Sequence, residues 1–197
     1  MIIGIDLDNV VVSTTETMLD YINKRLPFAE LTMEDIKTYS IEDALPREYR
    51  WIVENGFRDG RNFWKNIKLI EGAAIYIKKL YDDGHEIYFA TSSLPENIYK
   101  KIKHLCRSLD IDETYIIKHT INIQRKQLLN VDLLVDDSLM NLVGKRSYYS
   151  ICFDYPWNRT LGGIPYNNSY KFKRAYNWED VYRIIKEVQD ETAQNKS

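Results

Sequence analysis

The sequence is poor in the features that would commit a chain to a membrane, an oxidising compartment or a polyanion. It has only two cysteines, Cys106 and Cys152. That is too few for a disulfide framework, and neither has a Cys or His neighbour at metal-ligand spacing, so both are expected as reduced core thiols. No apolar run approaches the roughly 20 residues that span a bilayer. The first strand-like run, from Ile2, already meets an acidic residue at Asp6, leaving no room for a basic segment followed by an apolar leader. An excess of one charge is missing too: 27 basic residues face 29 acidic ones, for a net charge of −2. A global footprint for duplex nucleic acid is therefore absent. Repeats and low-complexity segments are also lacking, and the expectation is a cytoplasmic chain with neither membrane nor duplex nucleic acid as partner.

What is present is the composition of a folded domain, 44% hydrophobic and 28% charged over 197 residues, enough for one core with a modest insert. Ile2-Ile3-Gly4-Ile5 does not alternate in polarity and predicts a strand buried on both faces. Ser13 with Glu16 reads as a capping box opening a helix that carries Met18, Leu19, Ile22 and Leu26 and stops before Pro27. From Leu31 to Ile70 the pattern is helical in short pieces, with Thr32 as a cap, Pro46 at a first turn and Gly56 at an end. A helix from Gly72 to Tyr81 then feeds the strand His85 to Ala90.

Pro95 opens a helix with Ile98, Ile102, Leu105 and Leu109 as its stripe, and Lys100, Lys101, Lys103 and Arg107 read as its solvated face. Short apolar runs at Tyr115–Ile117, Leu133–Val135 and Tyr149–Phe153 are read as strands, and Asn177 caps a last helix from Trp178 to Val188. This alternation predicts an α/β fold, a Rossmann-like parallel sheet flanked by helices. The polar residues 191–197 are expected as a disordered tail.

Open parallel sheets bind ligands beyond the carboxyl ends of their strands. There this sequence offers Asp6 and Asp8, then Thr91-Ser92-Ser93, then Lys126, then Asp136 and Asp137. Clustered carboxylates repel one another unless a cation neutralises them, and an all-oxygen ligand set suits Mg²⁺. Phosphoryl transfer requires an in-line nucleophile, a proton donor for the leaving oxygen, and positive charge and donors around the phosphoryl oxygens. Asp6 is the candidate nucleophile and Asp8 the general acid and base. The Thr91 hydroxyl, the backbone amides of Ser92 and Ser93, and the Lys126 ammonium are the candidate phosphate ligands, and Asp136 completes the metal site.

Each feature has a bland counterpart: Asp-x-Asp is common after strands, Thr91 and Ser92 could cap a helix, and Lys126 could be a solvated lysine. The ordered set outweighs these. Phe63, Trp64, Trp51 and Tyr39 are candidates for stacking on a base, although aromatics of a helical insert are more often core. No role attaches to His85, His104 or His119.

Taken together, Asp6-Leu7-Asp8-Asn9-Val10, Thr91 within Phe89-Ala90-Thr91-Ser92-Ser93, and Lys126 spaced to Asp136-Asp137 resemble the haloacid dehalogenase superfamily of aspartyl-phosphate hydrolases. Within it the chain is most like the 5′(3′)-deoxyribonucleotidases, on the weaker similarities Asn62-Phe63-Trp64 running into Glu71-Gly72-Ala73, and Asn177-Trp178-Glu179-Asp180. Lys118 is the alternative third-motif lysine. Asn9 departs from the glycine of the animal enzymes, and Asp154 to Arg159 has no derivable role.

The resemblance implies Mg²⁺ held by the Asp6 carboxylate, the Asp8 carbonyl and the Asp136 carboxylate, with Asp137 in support. It implies a haloacid dehalogenase-like core of residues 1–13 and 73–190 beneath a helical cap of residues 14–72. It also implies a nucleoside monophosphate, deoxy or not, as the small-molecule partner, and leaves a homodimer open. The alternatives are a phosphatase of another small phosphomonoester such as a sugar phosphate, and a non-catalytic member that binds nucleotide. A dehalogenase, which needs neither Asp8 nor magnesium, is disfavoured. Base, sugar and the position of the phosphate stay open.

Overall fold

A computed structural model describes residues 1–60, 62–142, 149–161, 164–165 and 172–194, with the backbone alone for 160, 161, 164 and 165. The chain opens with β1 (Ile2–Asp6) and α1 (Thr14–Arg25), then α2 (Trp51–Arg58) and α3 (Ala73–Asp82). Next come β2 (Glu86–Thr91), α4 (Pro95–Ser108), α5 (Glu113–Lys118) and β3 (Thr120–Asn122). β4 (Leu133–Asp136), α6 (Leu139–Leu142) and β5 (Tyr149–Phe153) follow, then the two-residue strands β6 (Thr160–Leu161) and β7 (Ile164–Pro165). β8 (Phe172–Ala175) and α7 (Trp178–Gln194) complete the chain.

Six strands form one parallel sheet in the order β3-β2-β1-β4-β5-β8. β1 is central and apolar up to Asp6, with Ile3 and Ile5 fully buried, because helices cover both faces of such a sheet. Its register sets Asp6 opposite Ala90 of β2 and Ile5 opposite Val135 of β4. The ends of β1, β2 and β4 therefore deliver Asp6, Thr91 and Asp136 side by side. The expected α/β architecture is what the chain adopts.

Between α1 and α3 the chain makes 3-10 turns at Met33–Asp35, Ile41–Ala44 and Arg47–Tyr49 as well as α2. Thr32 does cap the first turn, its amide and hydroxyl both donating to Asp35 Oδ2 at 2.8 and 2.6 Å. The insert's Ile36, Ile52, Val53 and Phe63 belong to the same apolar cluster as Ile3 and Ile5 of the sheet. At its far end Trp178, buried and first in α7, donates its indole N–H to the Val10 carbonyl at 2.8 Å. The last helix thus fastens the loop that follows β1. No helix of the described residues is long and apolar enough to cross a membrane.

Several local expectations are corrected. Tyr115–Ile117 lies in α5 rather than a strand: Asp112 caps that helix by accepting from the Tyr115 amide at 2.8 Å. A three-residue apolar run cannot separate the two forms. Ser13 does not cap α1; its hydroxyl donates to the Lys68 carbonyl at 3.3 Å. Gly56 lies inside α2, where a Cβ would sit 2.7 Å from Met18 Sδ, so it permits α1 and α2 to approach rather than ending the helix. α7 continues through Gln194, so the expected tail is helical over 191–194, and residues 195–197 lie outside the described residues. Asn177 does cap it, accepting from the Asp180 amide at 2.8 Å.

Candidate active site

The loop after β1 is shaped by Asn9, whose φ of +57° is left-handed. Asparagine tolerates that region better than other side-chain-bearing residues, which accounts for Asn where the animal enzymes carry glycine. Its side chain is also used: Nδ2 donates to Asp137 Oδ2 at 3.1 Å and Oδ1 accepts from the Thr15 amide at 2.9 Å. One residue ties the β1 loop to the start of α1 and to the end of β4.

Beneath this loop lies a charged floor. Lys126 stands on a 3-10 turn (Lys126–Leu128), 3% exposed, with its ammonium 2.7 Å from Asp6 Oδ1 and 2.8 Å from Asp136 Oδ2. Lys118, the alternative, is exposed at the end of α5. Asp6 Oδ1 also accepts from the Leu7 amide at 2.7 Å, and Asp136 accepts from the Ser138 amide at 2.8 Å and Asn141 Nδ2 at 3.0 Å. Carboxylate oxygens of Asp6, Asp136 and Asp137 lie within 4.8 Å of one another, all three residues buried.

These charges are uncomfortable as they stand. Burial pushes the Asp6 carboxyl up to about 7 against the pull of Lys126, and the Asp136 and Asp8 charges add to the rise. Burial, then the Asp6 and Asp136 charges, drive Asp137 well above the carboxylate range. Burial works against the Lys126 ammonium, but the two carboxylates beside it hold it above the ordinary lysine range. Asp137 Oδ1 is buried without a hydrogen-bond partner, a state that costs about 1–3 kcal/mol or more. Four carboxylates (Asp6, Asp8, Asp136, Asp137) meet two buried ammoniums (Lys101, Lys126). With all four ionised the excess is two negative charges, all on oxygen, and a hard divalent cation such as Mg²⁺ is what would hold them so.

On the other side of Asp6 stands Asp8, the second predicted carboxylate. Its Oδ1 accepts from the Thr14 hydroxyl at 2.7 Å, and its Oδ2 from the Thr91 hydroxyl at 3.1 Å and from the Lys101 ammonium. Burial opposes its charge, but the Lys101 ammonium beside it, with the hydrogen bonds from Lys101 and Thr14, holds the carboxyl below its usual range.

Lys101 corrects the reading of α4. It is 4% exposed rather than solvated, and it donates to Asp8, to Thr91 Oγ1 at 2.8 Å and to the Ser93 hydroxyl. The signal was present in the spacing: Asn97, Lys101 and Leu105 recur every fourth residue and form the buried face. Ser93 is corrected as well. Its amide donates to Asn122 Oδ1 at 3.0 Å while its carbonyl accepts from Asn122 Nδ2 at 3.0 Å. That amide is therefore committed to holding the loop, and the Ser93 hydroxyl is what faces Thr91, at 3.1 Å. Ser92 is exposed and lines both clefts that meet here.

The first cleft, about 690 Å³, runs over Asp6, Lys126, Ser138 and Asn141. The second, about 470 Å³, runs under the insert past Ile36, Val53, Phe57, Trp64 and Lys101. Asp8, Tyr39, Ser92 and Trp157 border both. Of the stacking candidates, Trp64 and Tyr39 reach a cleft. Phe63 does not: it is fully buried edge-on between Phe57 and Trp64, with centroids 5.3 and 5.0 Å away. Trp51 is exposed and borders neither cleft. The segment without a derived role proves to be a brace. Asn158 Nδ2 donates to the Asp137 carbonyl at 2.9 Å and to the Phe153 carbonyl at 2.7 Å, and Arg174 grips Asn158 Oδ1 at 2.7 Å and Asp154 at 2.6 Å. Little in the local sequence announces it, because of these partners only Phe153 is near Asn158 in the chain, while Arg174 and Asp137 lie 16 and 21 residues away.

The family described as "5' nucleotidase, deoxy (Pyrimidine), cytosolic type C protein" matches residues 1–191. A protein of Chlorobaculum tepidum named "Putative 5'(3')-deoxyribonucleotidase" is 24% identical over 210 aligned positions, covering 94% of this chain and 90% of that one. Among solved structures, a haloacid dehalogenase-like protein of unknown function from Agrobacterium tumefaciens superposes with a TM-score of 0.59 at 12% identity, over 95% of this chain and 98% of that one. A predicted phosphoglycolate phosphatase from Haemophilus somnus gives 0.56 at 14% identity, over 93% and 97%. A haloacid dehalogenase family hydrolase from Deinococcus radiodurans, with bound phosphate and sodium, gives 0.53 at 14% identity, over 79% and 83%. At such identities the superpositions speak for the fold alone.

Proposed function

The chain belongs to the cytosolic type C 5′-nucleotidase family of haloacid dehalogenase-like phosphatases, and we propose that it is a Mg²⁺-dependent hydrolase of (deoxy)nucleoside monophosphates that works through an aspartyl-phosphate. The observation that carries this reading is the buried Lys126 bridging Asp6 and Asp136, with Asp137 beside them. That arrangement offers a nucleophile, a cation for the phosphoryl oxygens and a set of metal ligands within one contact shell.

Asp6 Oδ1 is held by Lys126 and the Leu7 amide, and Oδ2 is the oxygen proposed to attack phosphorus. A bond forms from Asp6 to phosphorus while the bond to the leaving oxygen breaks, and Asp8, which takes up a proton when the anionic phosphate binds beside it, passes that proton to the leaving oxygen. Asp8, now a carboxylate, takes a proton from water as the water attacks the phosphoryl group, releasing phosphate and restoring Asp6. The Thr91 and Ser93 hydroxyls, the Ser92 amide and the Lys126 ammonium bind the phosphoryl oxygens. Mg²⁺, held by the carboxylates of Asp6 and Asp136 and the Asp8 carbonyl with Asp137 in support, would offset the charge that the phosphate brings.

The substrate half of the proposal is supported by the cleft under the insert. Trp64 and Tyr39 offer aromatic surface there within a largely apolar wall, which suits a nucleoside better than a bare sugar. On this reading residues 14–72 act as the cap. The two free cysteines agree with a reducing, cytoplasmic setting. A phosphate-release panel over nucleoside monophosphates and sugar phosphates, with Mg²⁺ and with chelator, tests it. Fastest turnover is expected on a nucleoside monophosphate with Mg²⁺ present. Far faster turnover of sugar phosphates would sink the nucleotide assignment, and full activity under chelation would sink the metal.

A further inference from the structure

The mechanism above leaves one buried cation unused. Lys101 Nζ sits on three oxygens at once: Asp8 Oδ2, Thr91 Oγ1 and Ser93 Oγ. An ammonium has three N–H donors, so its hydrogen-bonding capacity is filled. Stability does not explain the arrangement, because buried ion pairs can often be replaced by apolar residues without loss. Location is more informative. Lys101 borders the cleft under the insert, 5.6 Å from the centroid of the Trp64 ring, and does not border the cleft over Lys126. Lys126 contacts Asp6 and Lys101 contacts Asp8, and the cleft that Lys101 lines is where the leaving group must lie if the nucleoside occupies it.

The geometry points to Lys101 as a positioning residue that acts through Asp8 on departure of the leaving group, an inference that rests on the phosphohydrolase reading. Thr14 holds Asp8 Oδ1 at 2.7 Å and Lys101 holds Oδ2, a place that Thr91 shares until its one hydroxyl proton turns to the phosphoryl group. Clamped at both oxygens, the carboxyl cannot turn about its own axis without breaking a contact. Proton delivery to a leaving oxygen requires a reach of about 2.6–3.2 Å, and the clamp fixes where that reach ends. Lys126 has no such contact with Asp8; it holds the nucleophile.

The test is a comparison of leaving groups. The nucleoside monophosphate or sugar phosphate that the wild type hydrolyses best leaves as an alkoxide and needs the proton, whereas p-nitrophenyl phosphate leaves as a stabilised phenolate and hardly needs it. Lys101→Met is expected to lower kcat/KM for the alkyl ester about 100-fold, within the range of general acid catalysis, and for p-nitrophenyl phosphate less than about 5-fold. Lys103→Met, on the exposed face of the same helix, should change neither. In an Asp8→Asn background Lys101→Met should cost less than about 2-fold more on the alkyl ester, since the residue it positions is already gone. That double variant also removes both charges of the pair, so it decides the matter if Lys101→Met alone does not fold. Equal losses on the two esters, no loss on either, or a further tenfold loss in the Asp8→Asn background would overturn the inference. Absence of wild-type turnover on both esters would remove the phosphohydrolase reading itself and this inference with it.

Discussion

The floor of the site and its roof are built by opposite rules. The floor, Asp6, Lys126, Asp136 and Asp137, is drawn from the ends of adjacent core strands and the turn before β4, and nearly every atom is buried. The roof, Tyr39, Trp64 and Trp157, is assembled from the insert and a distant turn, with the two indoles buried and Tyr39 65% exposed. On the proposed reading, chemistry belongs to the floor and to Asp8 with its Lys101 clamp, and substrate choice to the aromatic roof, which is how a scaffold keeps a reaction while exchanging its substrates.

The sharpest way to break this contrast is through the floor. Asp6→Asn should abolish Mg²⁺-dependent phosphate release, by on the order of 10⁴-fold or more, as when one member of a catalytic unit is removed. Retained turnover would show that the nucleophile lies elsewhere. Lys126→Met leaves two buried carboxylates without their cation and should lower stability by about 3–5 kcal/mol in a urea titration. A loss below about 1 kcal/mol would mean that water reaches the floor after all. Mg²⁺ at about 100 times its Kd should add about 2.7 kcal/mol, seen as a rise in Tm that Asp136→Asn removes; an unmoved Tm would break the charge-balance argument. The roof should answer differently. Trp64→Leu is expected to raise KM for nucleoside monophosphates by about 5- to 100-fold, the 1–3 kcal/mol of a lost stacking contact, while kcat and the KM for sugar phosphates hardly move. A fall in kcat with KM unchanged would erase the distinction between the two regions.

The same contrast decides what could be read from the chain beforehand. The floor was legible because each of its carboxylates follows a short apolar run, and because Lys126 stands ten residues before Asp136. Strand periodicity and local spacing carry that information. The roof was not, because its parts meet only through the fold. Trp64 and Phe63 are neighbours in sequence and equally aromatic, yet one lines a cleft and the other fills the core. Lys101 was concealed by the lysines around it, although its four-residue offset from Leu105 places it on the buried stripe. Asn158, which braces the Asp137 carbonyl, had no pattern to give it away. Tyr115–Ile117 failed for a local reason: three apolar residues fit a strand and a helix equally, and the Asp112 cap decided between them.

The hydrogen bond from the Trp178 indole to the Val10 carbonyl has a temporal consequence. β1 precedes both of its sheet neighbours in the chain and can pair only once β2 and β4 have been made. Even then the loop that carries Asp8 and Asn9, already tied to α1 and to Asp137 through Asn9, gains its tie to the last helix only when residue 178 has been synthesised. The loop after β1 is therefore made well before it is fully secured.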